Sequence, residues 1–268
     1  MKLKSMKYPW LCWVTVIVIV TSLIIVPVTG DHGQAQDLRA PVSSQTTSGT
    51  TWYLAEGSTR GGFETWILVQ NPSRDTATVS LTYMTPSGAV TGPSLVLEPS
   101  TRQSVNVADT ISDEWSVSTE VTSDVPVVCE RSVYWGERIG GHDSIGVTSP
   151  DHVWYLAEGS TGGDFETWIL VQNPNDANAT VELTYMTSEG SVEGPREDLL
   201  PNSRMTFNIA DTLPGVFSVS TKVVSNRPVV CERSVYWGER IGGARLDRRD
   251  HTGTGLVPCR GIHGGRLL

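Results

Sequence analysis

CERSVYWGERIGG occurs twice without change, at Cys129–Gly141 and at Cys231–Gly243. The residues before it repeat as well, because WYLAEGST at Trp52–Thr59 returns at Trp154–Thr161. Every match has an offset of 102 residues, and 60 of the 90 positions from 52 to 141 are identical in the second copy. A period of this length corresponds to a whole domain rather than to one turn of a solenoid, so the sequence predicts two tandem domains.

Within each copy, short apolar or alternating runs are separated by clusters of Gly, Pro, Asn, Asp and Ser. No stretch has a convincing apolar period of 3.6 residues, so the sequence predicts an all-β fold. About seven strands at this spacing favour two tandem immunoglobulin-like antiparallel β-sandwich domains, with the strand order left open. The predicted strands of the first copy are Trp52–Leu54, Phe63–Gln70, Thr78–Met84, Leu95–Leu97, Arg102–Ala108, Ser116–Thr122 and Val127–Trp135.

The N-terminal sequence predicts export to an extracellular or cell-surface location. Lys2, Lys4 and Lys7 precede the uncharged apolar run Trp10–Val26, which is typical of a signal peptide or an uncleaved anchor helix. The segment that follows is rich in Gln, Ser, Thr and Gly, which favours a disordered stalk. The expected boundaries are 1–30 for the signal, 31–51 for the stalk, 52–150 and 151–243 for the two sandwiches, and 244–268 for a disordered tail.

The charge of the chain excludes nucleic acid as a natural partner. The formal net charge is −9, and residues 31–243 carry 27 acidic and 12 basic side chains, a balance of −15. Such a surface repels a phosphate backbone. No cofactor is predicted, because the glycine-rich turns lack the strand–Gly–helix context of a phosphate site. A cell-envelope component, a polysaccharide or a protein ligand is left open as a partner, and membrane contact is expected only through an uncleaved N-terminal segment.

The tail from Ala244 onward, ARLDRRDHTGTGLVPCRGIHGGRLL, does not continue the repeat. When the second and third bases of each codon are read with the first base of the next, synonymous codons allow the reading HDSIGVTTPAPDWYLAEGSTGGDF. That reading matches residues 142–165 at 20 of 24 positions. We interpret the tail as the frameshifted start of a third repeat, and no function is assigned to its arginines or to Cys259.

Charged residues that recur in both copies are candidates for a catalytic or a structural group. Paired carboxylates can act in a glycosidase as acid and nucleophile. Arg131, however, shares a strand face with Cys129 and Trp135, which points toward the core. Because an unpaired buried charge is costly, we expect a buried ion pair between Arg131 and Glu64 or Glu56, and no catalytic residue. The corresponding candidates in the second copy are Arg233, Glu166 and Glu158.

Three tryptophans are candidate binding residues: Trp52, Trp115 and Trp154. Exposed rings stack on sugars, although strand aromatics more often belong to a core. Trp115 is replaced by Phe217 in the second copy, which keeps the apolar character and removes the indole N–H.

His142 and the cysteines offer no metal site by sequence. No second His or Cys lies at ligand spacing from His142, and its loop is expected to be a turn at the end of the domain. Cys129 and Cys231 occupy equivalent positions in separate domains, so we expect buried free thiols rather than a disulfide.

The repeated motifs resemble a family of exported bacterial modules found in tandem on surface or secreted proteins. The matching residues are YLAEG at Tyr53–Gly57, ETWILVQNP at Glu64–Pro72, ERSVYW at Glu130–Trp135 and HDSIG at His142–Gly146. The resemblance implies surface-exposed β-sandwiches and lends no enzyme activity.

The sequence therefore predicts a non-catalytic surface protein whose repeats act as spacer or adhesion modules. The alternative is a carbohydrate- or protein-binding module attached to a secreted or surface enzyme system, and a glycosidase is a more distant one. Exposed Trp and Tyr clustered on one face favour a binding module. An open pocket at Glu64 or Glu130 favours an enzyme.

Overall fold

The computed structural model describes residues 48–238, where the regular elements are strands and two short 3₁₀ helices. The first copy contains β1 Gly49–Leu54, β2 Glu64–Gln70, β3 Ala77–Thr85, β4 Gly88–Leu97, β5 Arg102–Asn106, β6 Ser118–Trp135 and β7 Gly140–Ile145. The second copy contains β8 Asp151–Leu156, β9 Phe165–Asn173, β10 Ala179–Thr187, β11 Gly190–Leu199, β12 Ser203–Asn208 and β13 Ser220–Trp237. The predicted fold of two tandem antiparallel β-sandwiches is confirmed.

The long strand β6 belongs to both sheets of the first sandwich. Its first part pairs with β1 and β3, and its second part pairs with β2 and β7. One sheet therefore has the order β4-β3-β6-β1, and the other has the order β5-β2-β6-β7. Pro126 lies between the two parts, where the strand passes from one sheet to the other. Proline has no N–H to donate, so it fits where neither ladder needs a donor.

The second sandwich repeats this arrangement. Its sheets have the orders β11-β10-β13-β8 and β12-β9-β13, with Pro228 at the equivalent crossing of β13. The sequence counterpart of β7 in the second copy follows Gly238 and so lies outside the described residues.

Each sandwich encloses an apolar core formed by the inward residues of its strands. Trp52 anchors β1 to β6, because its indole N–H donates to the carbonyl of Val127 over 2.9 Å. Asn71, at the end of β2, is fully buried and its amide donates to the carbonyl of Leu97 over 3.0 Å, closing the following loop. Buried polar groups need such partners, which explains why the QNP motif is kept in both copies.

The cysteines at positions 129 and 231 are free and lie in these cores. Burial raises the pKa of the Cys129 thiol to about 12 and raises that of Cys231 well above its ordinary value. Both thiols are therefore inert at neutral pH, since the thiolate is the reactive form.

The structure differs from the sequence-based prediction at several boundaries. The runs predicted at Ser116–Thr122 and Val127–Trp135 join into the single strand β6, and β4 begins at Gly88 rather than at Leu95. β1 begins at Gly49, so the last three residues of the expected stalk, 49–51, are part of the first sandwich. The backbone hydrogen bonds of the strand hold these three residues in an extended conformation in spite of their polar composition.

Several predictions concern residues outside the described range. They are the signal segment 1–30, the stalk up to residue 47 and the tail 244–268. Among residues 48–238, no helix is long and apolar enough to cross a membrane.

Candidate functional site

The two copies meet at a polar junction. The outward side of the sheet β12-β9-β13 covers the end of the first sandwich where β6, β7 and the loop after β1 come together. We call the first-copy side of this contact the open end, and its residues are Glu56, Gly57, Phe63, Met84, Ser116, Arg131, Trp135 and His142. We call the second-copy side the outer face, and its residues are Gln172, Arg204, Thr206, Glu232, Ser234 and Tyr236.

A buried ion cluster lies at the centre of the junction. Arg131 Nη1 lies 2.8 Å from Glu56 Oε2 in its own copy, and Arg131 Nη2 lies 3.2 Å from Glu232 Oε1 in the other copy. The side chain of Arg131 is 2 % exposed and that of Glu56 is 5 % exposed. Glu232 also accepts a hydrogen bond from the backbone N–H of Glu56 over 2.7 Å. One guanidinium thus holds carboxylates from both copies.

The remaining polar groups of the cluster complete the coordination of Glu56. Tyr236 donates its hydroxyl to Glu56 Oε1 over 3.0 Å, and Ser234 donates to the same oxygen. His142 Nε2 lies 3.2 Å from that oxygen. Both Ser234 and Tyr236 belong to the second copy, so the contact between the copies supplies two hydrogen-bond donors to Glu56 Oε1.

A second buried arginine crosses the junction. Arg204 of β12 is 2 % exposed and donates from Nη1 to the carbonyl of Gly57 over 3.0 Å. A Cβ atom added at Gly57 would lie 2.8 Å from the carbonyl oxygen of Val117, so packing within the first copy requires glycine at the position whose carbonyl Arg204 binds. With Arg131, Glu56 and Glu232, the cluster holds two guanidiniums and two carboxylates, and its formal charges balance.

The pKa values in the cluster follow from this pairing. Burial alone raises the pKa of Glu56, but Arg131 and His142 outweigh it and lower that pKa well below its ordinary value. Burial lowers the pKa of Arg131, yet Glu232 and Glu56 raise it above the ordinary value. For Arg204 burial dominates and lowers the pKa to about 10. All three groups are charged at neutral pH.

Aromatic rings surround the ion cluster and keep water from it. The rings of Trp135 and Tyr236 lie 5.2 Å apart in an edge-to-face arrangement, and Phe63 lies 6.2 Å from Tyr236. Phe63, Val133, Trp135 and Tyr236 form one buried cluster drawn from both copies. Ring pairs of this geometry add about 0.5–1.5 kcal/mol beyond their buried area, so the contact is apolar as well as ionic.

The repeated motif ERSVYW supplies both sides of the junction, because alternate residues of a strand point to opposite faces. In β6, Arg131 and Trp135 point into the open end. In β13, the residues of opposite parity, Glu232, Ser234 and Tyr236, point out of their own sandwich and into the junction. The same six-residue stretch therefore acts once as the receiving side and once as the inserted side.

The structure pairs Arg131 with Glu56 rather than with Glu64. Glu64 instead accepts from Arg138 Nη2 over 2.7 Å at the surface, and this hydrogen bond lowers the pKa of Glu64. Glu166 likewise lies away from the cluster and accepts from the indole N–H of Trp168 over 3.1 Å. Glu64 is the first residue of β2 and Glu166 the second residue of β9, and both are half-buried.

The second-copy pair is not buried. Arg233 Nη1 contacts Glu158 Oε2, but the side chains are 26 % and 55 % exposed. In the second copy the ion pair is therefore partly exposed, not buried as expected from the sequence. The physical reason is that the first-copy pair is covered by an outer face, whereas no described residue covers Arg233.

The candidate binding tryptophans occupy two environments. Trp52 is 1 % exposed, and Trp154 donates its indole N–H to the carbonyl of Val229 over 2.8 Å, so both serve the cores. They also border a shallow cavity of about 370 Å³ beside the linker between the copies. Trp115 is 41 % exposed and packs edge-to-face against Phe63 at the margin of the junction.

The segment around His142 is a strand and not the turn expected from its sequence. It forms β7, where Val133 pairs with His142, and the chain then continues to a backbone bridge between Tyr53 and Val147. The sequence GGHDSI resembles a loop, but its backbone is held by the edge of β6. Among residues 48–238 no group of three or more His, Cys, Asp or Glu has the geometry to hold a metal ion.

Comparison with known proteins adds no functional assignment. No protein-family model matches the chain, and no curated protein matches it. Among solved structures the chain is similar to one described as the crystal structure of Thermotoga maritima 1070, with 17 % identity and a TM-score of 0.34 over 38 % of this chain and 95 % of that one. It is also similar to the Anabaena sensory rhodopsin transducer, with 24 % identity and a TM-score of 0.28 over 31 % of this chain and 94 % of that one. These likenesses are too weak to support an argument about function.

Proposed function

We propose that this protein is a non-catalytic, exported structural array in which successive sandwich modules are held at a fixed angle. The observation that carries the proposal is the junction, where the Glu56 carboxylate pairs with Arg131 of its own copy and accepts a hydrogen bond from Tyr236 of the next. Linked domains normally move relative to one another unless their interface is large and apolar or otherwise fixed. A rigid junction suits a spacer that holds a distal part of a surface protein away from the cell.

The buried cluster favours rigidity over catalysis. Separating the modules would break the Arg131–Glu232 pair and expose the apolar contact of Tyr236 with Phe63 and Trp135 to water, so the modules resist separation. A general acid or base needs a pKa near the operating pH and access to a substrate, whereas the pKa of Glu56 is lowered and its side chain is buried. Glu64 and Glu130 line neither the shallow cavity beside Tyr134 and His142 nor the one between Trp52 and Trp154.

The aromatic residues support the spacer more than the binding module. Trp52 lies in the core, and the most exposed aromatic side chains, Tyr155 and Phe217, belong to separate parts of the second sandwich rather than to one row. A sugar-binding face needs neighbouring exposed rings. Export to the cell surface is part of the proposal and is supported by the basic and apolar N-terminal sequence.

Rigidity is tested by the distance distribution between spin labels on the two modules of the full-length chain. Labels at Thr91→Cys and Glu193→Cys sit on exposed positions of β4 and β11, and the native Cys129 thiol is too buried to react. Cys12 and Cys259 are first replaced by serine. We expect one narrow distribution, because the junction fixes the angle.

A matched pair of double variants identifies the cause. Arg204→Ala with Glu232→Ala removes two junction charges and should broaden the distribution. Arg102→Ala with Glu130→Ala removes the equivalent exposed residues and should leave it narrow. A broad distribution in the unmodified chain would overturn the spacer proposal.

A further inference from the structure

Both sides of the junction occur a second time in the chain. The first copy carries its own outer face, formed by Gln70, Arg102, Ser104, Glu130, Ser132 and Tyr134. The second copy carries its own open end, formed by Glu158, Gly159, Phe165, Met186, Ser218, Arg233 and Trp237. Five of the six outer-face positions and seven of the eight open-end positions have the same residue in both copies. The exceptions are Ser104 in place of Thr206, which keeps the hydroxyl, and Ala244 in place of His142.

Among the described residues, the outer face of the first copy is exposed at Gln70, Arg102, Ser104 and Glu130, whereas Ser132 is 9 % exposed and Tyr134 is half-buried. Gln172 and Arg204 are 0 % and 2 % exposed at the junction, whereas their counterparts Gln70 and Arg102 are exposed. Glu130 is likewise exposed, although its counterpart Glu232 is largely buried. The same side chains are thus used in a contact in one copy and left in solvent in the other.

The identity of these polar positions is not a general property of the surface. On β4 the exposed residues Thr91, Ser94 and Val96 correspond to Glu193, Arg196 and Asp198 in β11, a complete change of charge and polarity. Solvent-facing residues that make no contact with another module can differ between the copies in this way. The outer face of the first copy keeps Gln, Arg, Glu, Ser and Tyr, as a surface that must fit a partner would.

We propose that the outer face of the first copy binds the open end of the second copy of another molecule of this same protein. Glu130 would take the place of Glu232 beside Arg233, and the hydroxyl of the half-buried Tyr134 would reach the Glu158 carboxylate. The internal junction supports this occupant, because there an outer face of this protein already contacts an open end, through Arg131 with Glu232 and through Arg204 with the carbonyl of Gly57. The covered junction inside each chain is the template for the contact between chains.

The proposed contact is heterologous, since two different surfaces meet. Such a contact leaves one free outer face and one free open end on every pair, so it continues into rings or filaments rather than stopping at a dimer. The contact between chains lacks the covalent linker, and the counterpart of His142 lies outside the described residues. It is therefore weaker than the internal junction and is best detected by covalent trapping.

Disulfide trapping in the full-length chain tests the proposal. Ser116 Oγ and Thr206 Oγ1 lie 3.2 Å apart across the internal junction, and their counterparts are Ser218 and Ser104. In a background with Cys12 and Cys259 replaced by serine, the pair Ser104→Cys and Ser218→Cys is placed in one chain and oxidised. We expect a ladder of disulfide-linked multimers on a non-reducing gel.

Two control chains separate the specific contact from chance collision. Ser116→Cys with Thr206→Cys should close inside one chain and remain monomeric, which shows that the internal junction forms. Ser94→Cys with Ser218→Cys moves one thiol to β4, away from the outer face, and should give no ladder. Adding Arg102→Glu and Glu130→Arg to the trapping chain should weaken the ladder about tenfold or more, because like charges would then face each other.

Two results would overturn the proposal without affecting the spacer. One is an equal ladder from the β4 control. The other is the absence of a ladder when the internal pair closes fully. A dimer formed by Ser104→Cys alone, as strongly as the ladder, would also overturn it, since it would show that two outer faces meet symmetrically. Failure of the internal pair to close would instead count against the junction and the proposed function.

Discussion

Arg131 Nη2 and Glu232 Oε1 lie 3.2 Å apart, although the two residues are separated by 101 positions in the sequence. Because the repeat offset is 102 residues, this contact joins the arginine of one Glu-Arg dipeptide to the glutamate of the next copy of the same dipeptide. The two adjacent residues of the motif therefore lie on opposite sides of their module. Each copy offers an arginine in one direction and a glutamate in the other.

Replacing Arg131 should be far more damaging than replacing Arg233. Arg131→Ala leaves Glu56 and Glu232 in a buried site without their common counter-charge, and we expect a loss of about 3–5 kcal/mol in the free energy of unfolding. Arg233→Ala removes a partly exposed pair and should cost less than about 1 kcal/mol. Urea unfolding of the two variants measures the difference, and equal losses would contradict the buried cluster.

The junction should make the protein sensitive to acid through Glu56. The pKa of Glu56 is lowered in the folded state from its ordinary value of 4.5, so the folded protein binds fewer protons at this group than the unfolded chain. Its contribution to stability is therefore complete above that value and is lost as the pH falls below it. Urea midpoints measured between about pH 3 and pH 7 should fall less steeply for Glu56→Gln than for the unmodified chain.

Glu158→Gln is the control for the acid experiment, because Glu158 is the exposed counterpart of Glu56. Its pH profile should follow that of the unmodified chain. An identical profile for Glu56→Gln would show that Glu56 does not carry the acid sensitivity.

The two buried thiols should react with an alkylating reagent only when the protein unfolds. In the Cys12→Ser, Cys259→Ser background, Cys129 and Cys231 lie in separate cores and burial raises the pKa of both. At about pH 8 an alkylating reagent should therefore label neither thiol in the native protein and both in urea. Rapid labelling of either cysteine under native conditions would contradict the core packing described for that sandwich.

The alternation of apolar and polar residues was enough to predict the strands and the two-domain fold. Thr78–Met84, for example, has its Val, Leu and Tyr in the core as expected. The continuity of β6 could not be predicted, because Pro126 is usually a strand terminator and here sits at a crossing between sheets. β7 was missed because Gly140 and Gly141 begin a segment with no apolar alternation, and its pairing depends on the free edge of β6.

Only the first-copy side of the junction could be predicted from the sequence. The position of Arg131 on the core face of its strand indicated a buried ion pair, and its partner Glu56 was one of two glutamates considered. Glu232 and Tyr236 lie on the other face of the same motif, where a polar residue in a sandwich normally meets solvent. One feature of the sequence does indicate the junction. The residues on both faces of ERSVYW are identical in the two copies, which indicates a contact on each face.

The most direct test of the account is a double-mutant cycle between Arg131 and Glu232, measured by urea unfolding of the full-length chain. The variants are Arg131→Ala, Glu232→Ala and the two combined. Residues in one buried network couple by about 0.5–3 kcal/mol, so the double variant should be more stable than the sum of the single losses predicts. Strictly additive losses would contradict the central claim that these two charges, from different copies, hold the modules together.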